Sequence, residues 1–130
     1  MTLDCVFCER IKQGQLLAGN ALAAAFRDVF PLTAWHCLIV PRRHEPDFLA
    51  LQADEQAAMW SLIGPVRQLI EADGPAPDGY NIGINIGQAA GQTVAHAHLH
   101  VVPRRRGDVA DPRGGVRCVV PDKARYWEDE

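Results

Sequence analysis

The chain has 130 residues and a mass of 14.3 kDa, the usual size of one domain, which excludes two independent cores and a barrel needing about 250 residues. Its 48% hydrophobic and 22% charged residues make an ordinary globular composition and exclude a disordered chain. A formal charge of −3, from 13 Lys plus Arg against 16 Asp plus Glu, excludes a global footprint for nucleic acid or membrane.

In chain order, the first element is a short helix over 7–13, stopped by Gly14. Residues 16–18 and 21–27 predict two short strands around the Gly19-Asn20 turn. Residues 34–40 (AWHCLIV) predict a strand that Pro41 ends, with His36 and Cys37 read as packing residues. The longest helix takes Asp54 as its N-cap and runs to about Ala72. Met59, Leu62, Ile63, Val66 and Ile70 recur at helical spacing as one apolar stripe, which Pro65 should bend or divide. Residues 80–86 alternate, with Tyr80, Ile82, Ile84 and Ile86 to one side and Asn81, Gly83 and Asn85 to the other. The loop 87–92 leads to a second alternating strand over 95–102. After a loop over 104–115, residues 116–120 predict a short strand holding Cys118, and Tyr126 and Trp127 pack back as an anchor. Two helical regions against several antiparallel strands give an α+β fold, read as one domain over 1–130.

The N-terminus, Met1-Thr-Leu-Asp-Cys5, has neither the basic nor the apolar region of a signal peptide. No run approaches the ~20 apolar residues of a bilayer span. We therefore expect a cytosolic protein whose four cysteines are thiols or metal ligands rather than disulfides. Arg104, Arg105, Arg106, Arg113 and Arg117 crowd one stretch, opposed there by Asp108 and Asp111. Such a stretch is either a solvated loop or a local positive field for a small anion.

The chemistry concentrates in His96-Ala-His98-Leu-His100-Val-Val-Pro103. In a strand the three imidazoles project to one side, and Ala95, Ala97, Leu99 and Val101 to the other. Three imidazoles in a row are poor material for a packed face, because each leaves a polar nitrogen needing a partner. Two could converge on a metal, but no further ligand follows at metallohydrolase spacing. The alternative divides the labour: one histidine holds structure or metal, one attacks, one assists. Just upstream, Gly87, Gly91, Gln92 and Thr93 supply backbone N–H groups, an amide and a hydroxyl for a phosphate, with Asn85 able to aim at the same place.

These residues resemble the histidine triad (HIT) nucleotide hydrolases and transferases, whose signature His-φ-His-φ-His-φ-φ is matched at every position from His96 to Val102. Asn85 and Gly91-Gln92-Thr93-Val94 resemble the family's phosphate segment, and Phe26-Arg-Asp28-Val29 with 34–44 its nucleoside-binding stretch. The resemblance runs from residue 5 to about 104, and it implies a five-stranded antiparallel meander with a long helix and a short N-terminal helix. It implies His98 as nucleophile on the α-phosphorus, forming a nucleotidyl-histidine. His100 would bond phosphate oxygens or the leaving group; Asn85, Gln92 and Thr93 would bind phosphate; Asp28 would hold the ribose. Phe7, Phe26 and Val29 would form the base pocket, and two subunits would pair. No metal is required for that chemical step.

Cys5-Val-Phe-Cys8 lacks the strand that precedes a thioredoxin-like redox motif. By resemblance to the C-x-x-C members of the family, Cys5, Cys8, His44 and His96 form a structural Cys₂His₂ zinc site. The expected partner is a nucleotide or nucleotide conjugate, with dinucleoside polyphosphates, nucleoside phosphoramidates and adenylylated compounds all open. Two competing readings are a zinc metalloenzyme using the histidine row, and a nucleotide-binding protein without turnover.

Overall fold

Five antiparallel strands form one sheet: β1 (Ala18–Gly19), β2 (Ala23–Arg27), β3 (Cys37–Pro41), β4 (Gly79–Ile84) and β5 (Leu99–Arg104), in the order β1-β2-β3-β5-β4. The computed structural model describes residues 4–129, so both ends of the expected 1–130 domain, with the first three residues of the segment read as lacking a signal peptide, lie outside the described residues. Among the described residues no helix is long and apolar enough to cross a membrane.

Strand alternation gives the sheet two different faces. On one, Ala23, Ala25, Cys37, Ile39, Leu99 and Val101 pack against Met59, Leu62, Val66 and Ile70, with Tyr80, Ile82, Ile84 and Ile86 alongside. Each fully buried aliphatic of that helical stripe contributes roughly 1.5–3 kcal/mol. On the other face, Ala24, Phe26, Leu38 and Val40 pack under Phe7 of α1 (Val6–Gln13). The alanines of β2 are fully buried, their small side chains letting elements approach from both sides.

The long helical region is divided, as Pro65 predicts, into α2 (Ala53–Ser61) and α3 (Ile63–Ala72). The break falls at Leu62 because a proline has no N–H for the carbonyl four residues back and its ring crowds that carbonyl, here Ser61. The N-cap is Gln52 rather than Asp54, its N–H donating to Glu55 Oε1 at 3.0 Å. Asp54 stands in the first turn, where a carboxylate favours the positive end of the helix.

The strands expected over 16–18, 21–27 and 80–86 are found as Ala18–Gly19, Ala23–Arg27 and Gly79–Ile84, and three others differ more. The strand over 34–40 starts only at Cys37, because Trp35 adopts φ +69°, held by an indole N–H bond to Asp73 (2.6 Å) and by Arg27 stacked 4.1 Å from its ring. The strand over 95–102 starts at Leu99. Residues 116–120 are not a strand: Gly115–Val119 is a 3₁₀ turn, entered through left-handed Gly114 (φ +90°) and followed by Pro121 at the start of α4 (Pro121–Ala124). Cys118 is exposed there rather than packed.

Candidate active site and metal centre

Only His100 of the three histidines lies in β5; His96 and His98 precede it in irregular backbone. Simple alternation therefore does not align the rings, and specific hydrogen bonds do. Ala97 N–H donates to the Glu45 carbonyl (2.7 Å), and His96 Nε2 lies 2.8 Å from the Pro41 carbonyl. The rings still gather on the α1 side of the sheet. His98 and His100 have centroids 5.0 Å apart, and Phe7 faces His96 at 5.8 Å and His98 at 5.1 Å. Strand register puts Phe26, Leu38, His100 and Gly83 in one row across that face.

Each ring's proton can be assigned from its partners. His98 Nδ1 lies 2.8 Å from the His96 carbonyl oxygen. A carbonyl only accepts, so Nδ1 carries the proton and Nε2 keeps a lone pair. His36 is a site residue, not the packing residue expected. Its Nδ1 accepts the Leu32 N–H at 3.0 Å, which leaves its proton on Nε2, 2.9 Å from His100 Nδ1. His100 therefore accepts at Nδ1 and presents an N–H at Nε2. Burial, then His98 and His36, push His100 down to about 4, and burial lowers His36 against the pull of Asp28. Both rings are neutral at pH 7. The sequence did carry a signal for His36, which has the same parity as Leu38, the neighbour of His100 across the ladder.

Asp28 Oδ1 accepts the Phe30 N–H (2.9 Å), and Oδ2 lies 3.5 Å from His36 Nε2. Asp28, His36 and His100 thus bring three donor atoms together. The proton on His36 Nε2 makes this a hydrogen-bonded trio, since a protonated nitrogen cannot ligate a metal.

The other binding candidates surround this centre unevenly. Gln92 spends its whole amide on backbone groups: Oε1 accepts from Gly87 N–H (2.9 Å), and Nε2 donates to the Val94 carbonyl (3.0 Å) and, across to the segment after β3, to the Pro46 carbonyl (2.8 Å). It shapes the phosphate loop, with Gly87 and Gly91 in left-handed turns (φ +88° and +93°), while Thr93 is exposed and Asn85 half-buried just past β4. Phe7 and Phe26 stack at 5.5 Å and are buried; Val29 is exposed and does not join them. Phe26 instead floors a groove of about 250 Å³ with Arg10, Leu16, Leu17 and Arg27.

Cys5, Cys8, His44 and His96 converge as the resemblance implies. Cys5 is the N-cap of α1, its Sγ accepting from Cys8 N–H at 3.4 Å. Sγ to Nδ1 distances are 3.3–3.5 Å, and the two Nδ1 atoms lie 3.2 Å apart. A tetrahedral zinc with Zn–S of about 2.3 Å and Zn–N of about 2.0–2.1 Å sets such atoms about 3.6 and 3.3 Å apart, so the donor set fits. His96 Nε2 donates to the Pro41 carbonyl, which turns the Nδ1 lone pair into the cluster. Burial also lowers His96, keeping it in the neutral form that ligates. Burial and the neighbouring Cys5 push the Cys8 thiol up to about 11, so a thiolate there calls for a cation.

The HIT domain family model matches residues 10–107. This chain belongs to the HIT family. Among curated HIT relatives, it is 35% identical over 97 residues to the bis(5'-nucleosyl)-tetraphosphatase [asymmetrical] of Schizosaccharomyces pombe, covering 75% of this chain and 53% of that protein. It is 34% identical over 106 residues to the adenosine 5'-monophosphoramidase of the same organism, covering 78% and 75%. Among solved HIT structures, a Zn-bound histidine triad family protein from Mycobacterium smegmatis superposes with a TM-score of 0.72 at 31% identity, covering 98% of each chain. The expected HIT fold is thereby shown, and the relatives' names support an enzyme of nucleotide chemistry.

Proposed function

We propose that this HIT protein is a hydrolase or nucleotidyl transferase, acting at the α-phosphate of a dinucleoside polyphosphate or nucleoside phosphoramidate through a nucleotidyl-His98 intermediate. The observation that carries this is the His98 Nδ1 bond to the His96 carbonyl, which leaves Nε2 unprotonated and free to attack. In the first step an Nε2–P bond forms and the bond from phosphorus to the leaving group breaks, its electron pair departing with that group. The positive charge left on the ring is met by the His96 carbonyl at Nδ1. The His100 Nε2–H, its tautomer set through His36, donates to phosphoryl oxygens as their charge develops. In the second step water, or another acceptor, attacks phosphorus, gives up a proton, and His98 recovers its lone pair. Asp28, Asn85, Thr93 and the loop shaped by Gln92 would hold ribose and phosphate, and Phe7 and Phe26 would wall the base side.

Zinc on Cys5, Cys8, His44 and His96 would contribute architecture, tying α1 to the segment that carries His98. The active form in this reading is a cytoplasmic homodimer. Mass spectrometry after brief exposure to an adenylyl donor tests the chemistry. We expect an adenylyl adduct on His98 in the unaltered protein and none in His98→Ala, whose turnover should fall at least about 1,000-fold. Turnover that vanishes on chelation and returns with added zinc while α1 stays folded would favour the metalloenzyme and sink the nucleophile.

A further inference from the structure

The basic C-terminal stretch has a definite place in the fold. Residues 104–125 hold seven Lys and Arg against three Asp, in a chain whose net charge is −3. Arg113, Gly114 and Arg117 of this stretch, with Tyr126 and Trp127 just beyond it, line a groove of about 610 Å³. Two guanidiniums lie over two rings, Arg113 4.6 Å from Trp127 and Arg117 4.6 Å from Tyr126. Stacking fixes a guanidinium's plane and leaves its edge N–H groups for acceptors. Arg113 is neutralised by Asp111 (3.0 Å), which Arg125 also faces at 3.6 Å. Arg117 has no carboxylate partner among the described residues; it bonds the Ala124 and Lys123 carbonyls through Nε and one terminal nitrogen (3.2 and 2.6 Å). Trp127 Nε1 is buried with no hydrogen-bond partner among the described residues. A groove edged by two ring-stacked guanidiniums, one of them without a carboxylate partner among the described residues, is chemically prepared for an oxygen-rich anion.

Its position adds direction. A Cβ on Gly115 would lie 3.3 Å from Asn81 Nδ2, and Asn81 Oδ1 accepts from Arg104 at 2.6 Å. Asn81 belongs to the side of β4 that Gly83 shares, which is the histidine face of the sheet. Arg104 lies four residues along β5 from His100, roughly 13 Å at about 3.3 Å per residue. Phe26 lies on the opposite side of His100, across β3, in the row Phe26, Leu38, His100, Gly83. The groove's segment thus docks on the flank of the nucleophile away from the nucleoside wall.

We propose that this groove is a second anion site, holding the oligophosphate chain on the leaving side of the substrate. The inference rests on His98 as nucleophile for its kinetic meaning, but the groove can be tested without turnover. Inorganic tripolyphosphate is the probe, titrated calorimetrically into the full-length protein, Arg117→Gln, Trp127→Phe and His98→Ala. We expect about tenfold weaker binding in Arg117→Gln, several-fold weaker binding in Trp127→Phe, and unchanged binding in His98→Ala. Trp127→Phe keeps an aromatic face for Arg113 but replaces the indole, its N–H included, with a smaller phenyl ring, so it reads the site by a second route where Arg117→Gln loosens the tail. With diadenosine tetraphosphate, both variants should raise KM at constant kcat, about tenfold in Arg117→Gln and several-fold in Trp127→Phe. Adenosine phosphoramidate, whose leaving part is ammonia, should be turned over as before. Equal tripolyphosphate binding by all four proteins, or equal loss on both substrates, overturns the proposal. So does a tail variant that converts a dimer to a monomer while no protein binds tripolyphosphate, since the segment is then a contact between copies. Binding lost in the tail variants with no adenylyl adduct at His98 upholds the groove and fails the catalytic reading.

Discussion

His98 and His100 stand two residues apart, yet different parts of the chain decide where their protons sit. The His96 carbonyl orients His98 locally, whereas His100 is set from the Leu32 N–H through His36, more than sixty residues away. His36→Gln should cut turnover about 10- to 100-fold while leaving the fold intact, measured by kcat beside a thermal melt. The same pair makes stability pH-dependent. His100 is held near 4 and His36 is lowered, against about 6.5 in the unfolded chain, so below pH 6.5 the unfolded state binds more protons. Stability is therefore full above about 6.5 and lost as pH falls toward 4, by on the order of 1–2 kcal/mol after allowing for solvent screening. Melting the chelator-treated protein from pH 7 to 5 should show the loss, and His36→Gln should flatten it.

The elements were legible in the sequence to the extent that their residues carry a periodic pattern. The stripe from Met59 to Ile70 and the alternation of Tyr80, Ile82, Ile84 and Ile86 both meet the core as read. The strands over 34–40 and 95–102 were read as starting too early, because Trp35 turns left-handed and His96 and His98 follow other hydrogen bonds rather than a ladder. Gly83 shows how an element serves the site. It sits opposite His100 on the edge strand, and a Cβ there meets nothing within 4 Å. Gly83→Val should fit without strain, shifting the melting temperature by no more than about 2–3 °C. Its side chain would nevertheless stand beside His100, since directly opposed residues have Cβ atoms about 4.5–5.5 Å apart. We expect KM for a nucleotide substrate to rise at least about tenfold, by steady-state kinetics.

Across the molecule, the Cys5, Cys8, His44 and His96 cluster and the His98 and His100 rings are physically joined. Cys5 and Cys8 open α1, His44 follows β3, and His96 precedes β5, so one ion would join three stretches of chain. Phe7 sits between the two cysteines and packs on His98 at 5.1 Å. Losing the ion should loosen α1, let Phe7 swing, and disorder the nucleophile without touching it. We expect one zinc per chain by elemental analysis. Chelation should lower the melting temperature by at least about 5 °C and cut activity in step, and Cys8→Ser should do the same, with zinc addition restoring only the unaltered protein.

Local chemistry was enough to say that the chain is α+β, that three histidines and a C-x-x-C pair are the candidates for its chemistry, and that Gly14 ends the first helix and Pro65 divides the long one, because periodicity, caps and prolines act within a few residues. Which nitrogen of each histidine holds the proton, that His36 bonds His100, that Gln92 spends its amide on backbone groups, and that the arginine-rich tail forms a groove beside β4 were decided only by folding. Each depends on partners brought together from distant parts of the chain, and a proton's position is a property of the pair rather than of either residue.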